Sequence, residues 1–104
     1  MQRYAFKMKL KSGCAAEYQK RHDEIWLDLV RLHSDAGISD YSIYLDEETN
    51  VLFAFQKRID HHSTADLPNQ PLMRKWWEYM KDLMECNPDG SPIAIQLQEV
   101  FHMD

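Results

Sequence analysis

Hydrophobic positions along the chain fall into short alternating runs and two longer runs of three-four spacing, and this rhythm sets out the fold. From Arg3 to Leu10, the side chains of Tyr4, Phe6, Met8 and Leu10 share one face, while Arg3, Lys7 and Lys9 take the other. That period of two predicts a half-buried strand. Ser12 and Gly13 interrupt it, with Ser12 placed to cap a following helix. Ala15, Tyr18, His22, Ile25, Leu29, Leu32 and Ala36 then recur every three or four residues, the inward face of one helix, which Gly37 ends at a left-handed C′ position. A second strand is expected over about Ser39 to Asp46, with Tyr41, Ile43 and Leu45 on one face and Ser42 and Tyr44 on the other. The polar turn Asp46–Asn50 leads into a third strand, Val51–Lys57, making a hairpin. A polar, irregular segment runs from Asp60 to Pro71. Beyond it, Met73, Trp76, Met80 and Leu83 repeat the helical spacing, with Trp77 and Met84 widening the apolar side. Asn87-Pro88 stops this second helix, and a last strand is expected over roughly Ala94 to His102.

The order β-α-β-β-α-β predicts an α+β, ferredoxin-like domain spanning residues 1–104, with a four-stranded antiparallel sheet and two helices on one face. Neither face of the Val51–Phe55 strand is polar, so the uncovered side of the sheet calls for a homodimer, sheet against sheet. A net charge of −5 argues against nucleic acid, whose phosphates require a basic face. No apolar stretch approaches a membrane span, and Met1-Gln2-Arg3-Tyr4 runs directly into a strand pattern without a signal-peptide segment. Cys14 and Cys86 stand apart without paired spacing, as reduced thiols of a cytoplasmic protein do.

Within the first helical stripe only His22 exchanges a proton near neutral pH. Tyr18 lies one turn before it and Trp26 one turn after, so aromatic rings bracket the imidazole. A histidine on an apolar face is also often a core residue with satisfied nitrogens. Trp76-Trp77 is the second unusual feature, because adjacent helical residues point about 100° apart. One ring can pack beneath the helix while the other leans over an edge, where flat faces suit the C–H surface of a sugar. His61-His62 have no accompanying cysteine or carboxylate at ligand spacing, so no metal is expected. With only three glycines and no phosphate loop, no nucleotide cofactor is expected either.

Over essentially its whole length the sequence resembles the L-rhamnose mutarotase family. The likeness is carried by Ala5-Phe6, Glu17-Tyr18-Gln19-Lys20-Arg21-His22, Ile25-Trp26, Tyr41 through Asp46, Leu52-Phe53-Ala54, Trp76 through Met80, Asn87-Pro88-Asp89, Ser91-Pro92 and Leu97 through Phe101. The resemblance implies a dimeric α+β barrel-type fold, a proton-donating histidine at His22, and sugar contacts from Tyr18, Tyr41, Trp76 and Trp77. It implies a sugar isomerase that opens and recloses the pyranose of L-rhamnose without cofactor or metal and feeds rhamnose catabolism. The Asp60–Pro71 loop shows little likeness, and no contact from it is carried over. Two other readings stand beside this one. The first is a cofactor-independent monooxygenase of the dimeric α+β barrel class, which would consume oxygen with quinols. The second is a non-catalytic sugar-binding dimer.

Overall fold

The strand β1 (Gln2–Lys9) runs through the middle of the sheet because its Tyr4, Phe6 and Met8 meet the inward residues of a second central strand. A computed structural model describes residues 1–104. In chain order the remaining elements are α1 (Ala15–Asp23), α2 (Leu27–Asp35), β2 (Ile38–Asp46), β3 (Val51–Arg58), a 3-10 segment (Thr64–Asn69), α3 (Pro71–Met80), a second 3-10 turn (Lys81–Leu83) and β4 (Ile95–Gln96). All strand pairs are antiparallel and the sheet order is β2-β3-β1-β4. Tyr4 pairs with Gln56, Phe6 with Ala54 and Met8 with Leu52, while Ile43 and Leu45 of β2 pair with Ala54 and Leu52. Directly opposed residues share a face. The helix-facing side is therefore apolar at Met8, Leu52, Ala54, Ile43 and Leu45, and turns polar at Gln56 and Arg58.

Against that face pack Tyr18, Leu29, Met73, Trp76, Met80 and Leu83, which with Met8, Leu10, Leu52, Ala54 and Met84 form one buried cluster. The alternation in β1 and the β2–β3 hairpin are as the sequence predicts. Gly37, at φ +96°, ends α2 as expected, and a Cβ there would stand 2.6 Å from Ile59 Cγ1. Positive φ and close approach together require glycine at this position.

Four expectations are corrected. The long first helix is two helices, broken at Glu24-Ile25-Trp26, where Ile25 N–H bonds back to His22 O in a tightened turn. No Gly or Pro marks the break, so the apolar spacing runs on across it. Ser12 does not cap α1, whose N-terminal boundary residue is Cys14 and which has no side-chain cap. The helix carrying the tryptophans ends at Met80. Leu83 follows in a 3-10 turn, and Met84 lies extended in a bridge to Leu10. Finally, β4 is only Ile95–Gln96. Leu97 N–H still bonds to Ala5 O, but after it the chain is held by the Arg3–Glu99 ion pair and carries Val100, Phe101 and Met103 into solvent. The face of the sheet away from the helices exposes a second apolar patch, the edge-to-face pair Tyr44 and Phe55.

Candidate active site

His22 occupies the last turn of α1, and its Nδ1 lies 3.0 Å from the backbone carbonyl of Tyr18. A carbonyl oxygen only accepts, so Nδ1 carries the hydrogen and the lone pair of the neutral ring sits on Nε2. Burial holds the imidazole below its ordinary pKa of 6.5, an effect partly offset by the Tyr18 carbonyl and by Asp23. At neutral pH the ring is therefore a base with one available nitrogen. The Tyr18 ring lies 4.3 Å from the imidazole between centroids, and the Trp76 ring meets it edge-on at 5.4 Å.

Trp26 does not flank the histidine as a continuous helix would place it. Because α1 stops before it, Trp26 swings away to meet Trp76 edge-on at 5.1 Å and to stack on Tyr79 at 5.8 Å. Trp76 is thus fixed from behind by Trp26 and Tyr79 and presents an edge to His22. As adjacent helical positions must, Trp77 diverges. It is half-buried against the core and makes no ring contact with Tyr18, His22, Trp26 or Tyr41.

Tyr41 reaches the site from the sheet. An irregularity between Ser39 and Ser42, with Asp40 at φ +48°, swells β2 at this point. The Tyr41 ring stands 6.4 Å from Phe6 and 6.0 Å from His33. Its surroundings push the phenol up to about 12, although the residue is 39% exposed. Burial and the nearby Tyr41 also push the Tyr18 phenol well up. Both phenols stay neutral through the physiological range, and neither hydroxyl has a hydrogen-bond partner within the protein. Two concavities, one beside Trp26, Leu27 and Leu72 and one around the Asn87–Gly90 turn, contain neither the histidine nor either tyrosine.

Tyr18, His22 and Trp76 are therefore brought together by ring contacts, Tyr41 stands on the sheet against Phe6 and His33, and Trp77 makes no ring contact with any of them. Sequence reasoning passed over Arg21. Its guanidinium donates to Tyr79 O at 2.7 Å and to both carboxylate oxygens of Asp82, and stands over the Tyr79 ring at 4.5 Å. It ties the end of α1 to the end of α3 and so holds His22 against Trp76. Sequence reasoning also passed over Gln56 and Arg58. The signal was present, since both continue the inward parity of Leu52 and Ala54. The loop histidine His62 is turned to its own segment, where Nδ1 lies 2.8 Å from Thr64 Oγ1.

Residues 3–103 match the family model described as L-rhamnose mutarotase. The chain is 60% identical over 102 residues to the L-rhamnose mutarotase of Mesorhizobium japonicum, covering 98% of this chain and 97% of that one. It is 59% identical to that of Bacteroides thetaiotaomicron, with each chain covered completely. The crystal structure of L-rhamnose mutarotase from Formosa agariphila superposes with a TM-score of 0.94 at 50% identity, again over the whole of both chains. The monooxygenase alternative finds no support among these relatives.

Proposed function

Because the chain belongs to the L-rhamnose mutarotase family, we propose that it interconverts the α and β anomers of L-rhamnose at His22 and so feeds rhamnose catabolism. The observation that carries this reading is the fixed tautomer of His22, which leaves Nε2 unbonded while the Tyr18 ring and the Trp76 indole lie against the imidazole. In the resting state Nε2 takes the proton of the anomeric hydroxyl. The C1–O1 bond becomes a carbonyl as the C1–O5 bond breaks. The imidazolium, still donating from Nδ1 to the Tyr18 carbonyl, then acts as proton donor to O5. Reclosure on the other carbonyl face runs the same transfers backwards and yields the other anomer.

Tyr18 and Tyr41 orient the sugar through their hydroxyls. Trp76 lies against its C–H face or C6 methyl, and Trp77 borders the same region. Proton transfer by a positioned imidazole typically supplies about 10²–10⁴-fold. The protein acts as a homodimer, a reading supported by the apolar Tyr44–Phe55 face and by the apolar tail of Val100, Phe101 and Met103, both of which a second copy covers. No helix is long and apolar enough to cross a membrane, and the free thiols Cys14 and Cys86 support a cytoplasmic setting.

The deciding experiment is NMR saturation transfer between the anomeric protons of L-rhamnose, with and without protein. Accelerated exchange is expected. Sugar-dependent tryptophan fluorescence without any acceleration would instead mean a binding protein.

A further inference from the structure

The inner face of β3 reads Leu52, Ala54, Gln56, with 2%, 0% and 5% exposure. Gln56 is the one buried side chain that is amide or charged, at a position whose two predecessors on that face are core. A buried amide with unmet donors is costly, so such a residue calls for a reason. Half of the reason is visible. Arg58 Nε donates to Gln56 Oε1 at 2.7 Å, and the Arg58 guanidinium lies flat over the Tyr4 ring at 3.5 Å, which fixes its aim. With Oε1 committed to Arg58, the carboxamide N–H groups are directed away from it, and no group of the protein accepts from them. They are not sealed in, either: the one fully enclosed and unpartnered side-chain nitrogen in the protein is Arg21 Nε.

The placement supplies the other half. Gln56 pairs across the sheet with Tyr4, and β2 swells beside it to bring Tyr41 over the same face. Phe6 links the two sides, 5.7 Å from Tyr4 and 6.4 Å from Tyr41. The helix-facing side of the sheet is therefore apolar beneath the helices and polar at the Tyr41 end.

We propose that Gln56, aimed by Arg58, is a substrate-recognition residue whose carboxamide donates to a non-anomeric hydroxyl of the bound pyranose. The proposal rests on the mutarotase reading and adds a specificity determinant to it. Trp76 faces the C–H surface while Gln56 and Tyr41 read the hydroxyl edge. A site built to hydrogen-bond a hydroxyl discriminates strongly against the analogue lacking it, because its own polar group is then left unpaired.

The test uses L-rhamnose and its 2-, 3- and 4-deoxy analogues in the anomer-exchange assay, with the unsubstituted protein, Gln56→Met, Gln56→Glu and Arg58→Met. Gln56→Met keeps length and volume but has no donor. Gln56→Glu keeps an acceptor for Arg58 and also lacks the donor, so it serves where the methionine variant fails to fold. Both are expected to lower kcat/KM for L-rhamnose by about 10–100-fold, chiefly through KM. Against one deoxy sugar, the one missing the recognised hydroxyl, they should perform no worse than the unsubstituted protein. Arg58→Met should blunt the same discrimination by releasing the carboxamide to rotate. Folded variants with unchanged kcat/KM, or an equal loss on all four sugars, would overturn the recognition role and leave the mutarotase reading intact. No exchange of L-rhamnose by the unsubstituted protein would overturn both.

Discussion

Replacing His22 with asparagine isolates the chemistry of one nitrogen. The asparagine amide can still donate to the Tyr18 carbonyl, as Nδ1 does at 3.0 Å, so the helix end keeps its hydrogen bond. What disappears is Nε2 and the part of the ring that meets Trp76 at 5.4 Å. A partly buried substitution that preserves the hydrogen bond costs on the order of 1 kcal/mol of stability, well within what a small domain tolerates. The catalytic loss is far larger. Withdrawing an acid-base group worth about 10²–10⁴-fold raises the barrier by about 2.7–5.5 kcal/mol. Anomer exchange should therefore fall nearly to the uncatalysed rate, while circular dichroism and the size-exclusion profile stay unchanged. His22→Ala opens space where the ring stood, and added imidazole should partly restore exchange by occupying it. A folded asparagine variant that exchanges rhamnose at the original rate would refute the role given to His22.

Four further outcomes follow from the same geometry. Burial lowers the His22 pKa and raises both phenols, so log kcat/KM should be flat from neutrality upward into the mildly alkaline range and fall with unit slope only at acid pH, below 6.5; a midpoint above 6.5 would contradict this. The same shift makes stability decline as pH drops below the unfolded-state value of 6.5 and level off once the folded-state pKa is passed, because the folded ring resists protonation; urea titrations across that window read it. Trp76→Leu should lower kcat/KM on the order of tenfold more than Trp77→Leu, since only Trp76 touches the imidazole, and the reverse order in the exchange assay would show that Trp77 carries the sugar contact. Gly37→Ala forces a Cβ to 2.6 Å from Ile59 Cγ1 at positive φ, so it should cost more than about 1 kcal/mol and lower Tm by several degrees; an unchanged melting curve would refute the strain.

The first two strands were legible from their period of two, and the third, apolar on both faces over Val51–Phe55, from a β-rich run that a short polar turn joins to the second. The helix break was not, because Ile25 and Leu29 keep the three-four spacing across a bend that a tightened turn at Ile25 produces. The same bend misdirected the expectation for Trp26, which braces Trp76 rather than touching His22. For β4, the alternation in Ile95, Leu97 and beyond describes a chain able to pair, but within one copy only two residues find strand partners. In the site, Tyr18 and His22 were readable together as i and i+4 neighbours on one helix. Trp76 joins them through a tertiary contact that local periodicity does not encode, and for it and for Tyr41 the family resemblance pointed to the residues. Gln56 shows the reverse case, a polar residue at an inward position, visible in the sequence and easily passed over as an interruption of the core.

The hydrogen bond from Nδ1 to the Tyr18 carbonyl has one more consequence. On the proposed route, with that nitrogen committed, deprotonation and reprotonation of the sugar share a single atom, and the two events must be separated in time rather than in space. The open-chain aldehyde then has to linger within reach of Nε2 while its carbonyl turns about the C1–C2 bond. Such a site must grip the distal carbons firmly and leave the carbonyl end slack, so tightening it around C1 would slow turnover even as affinity rose.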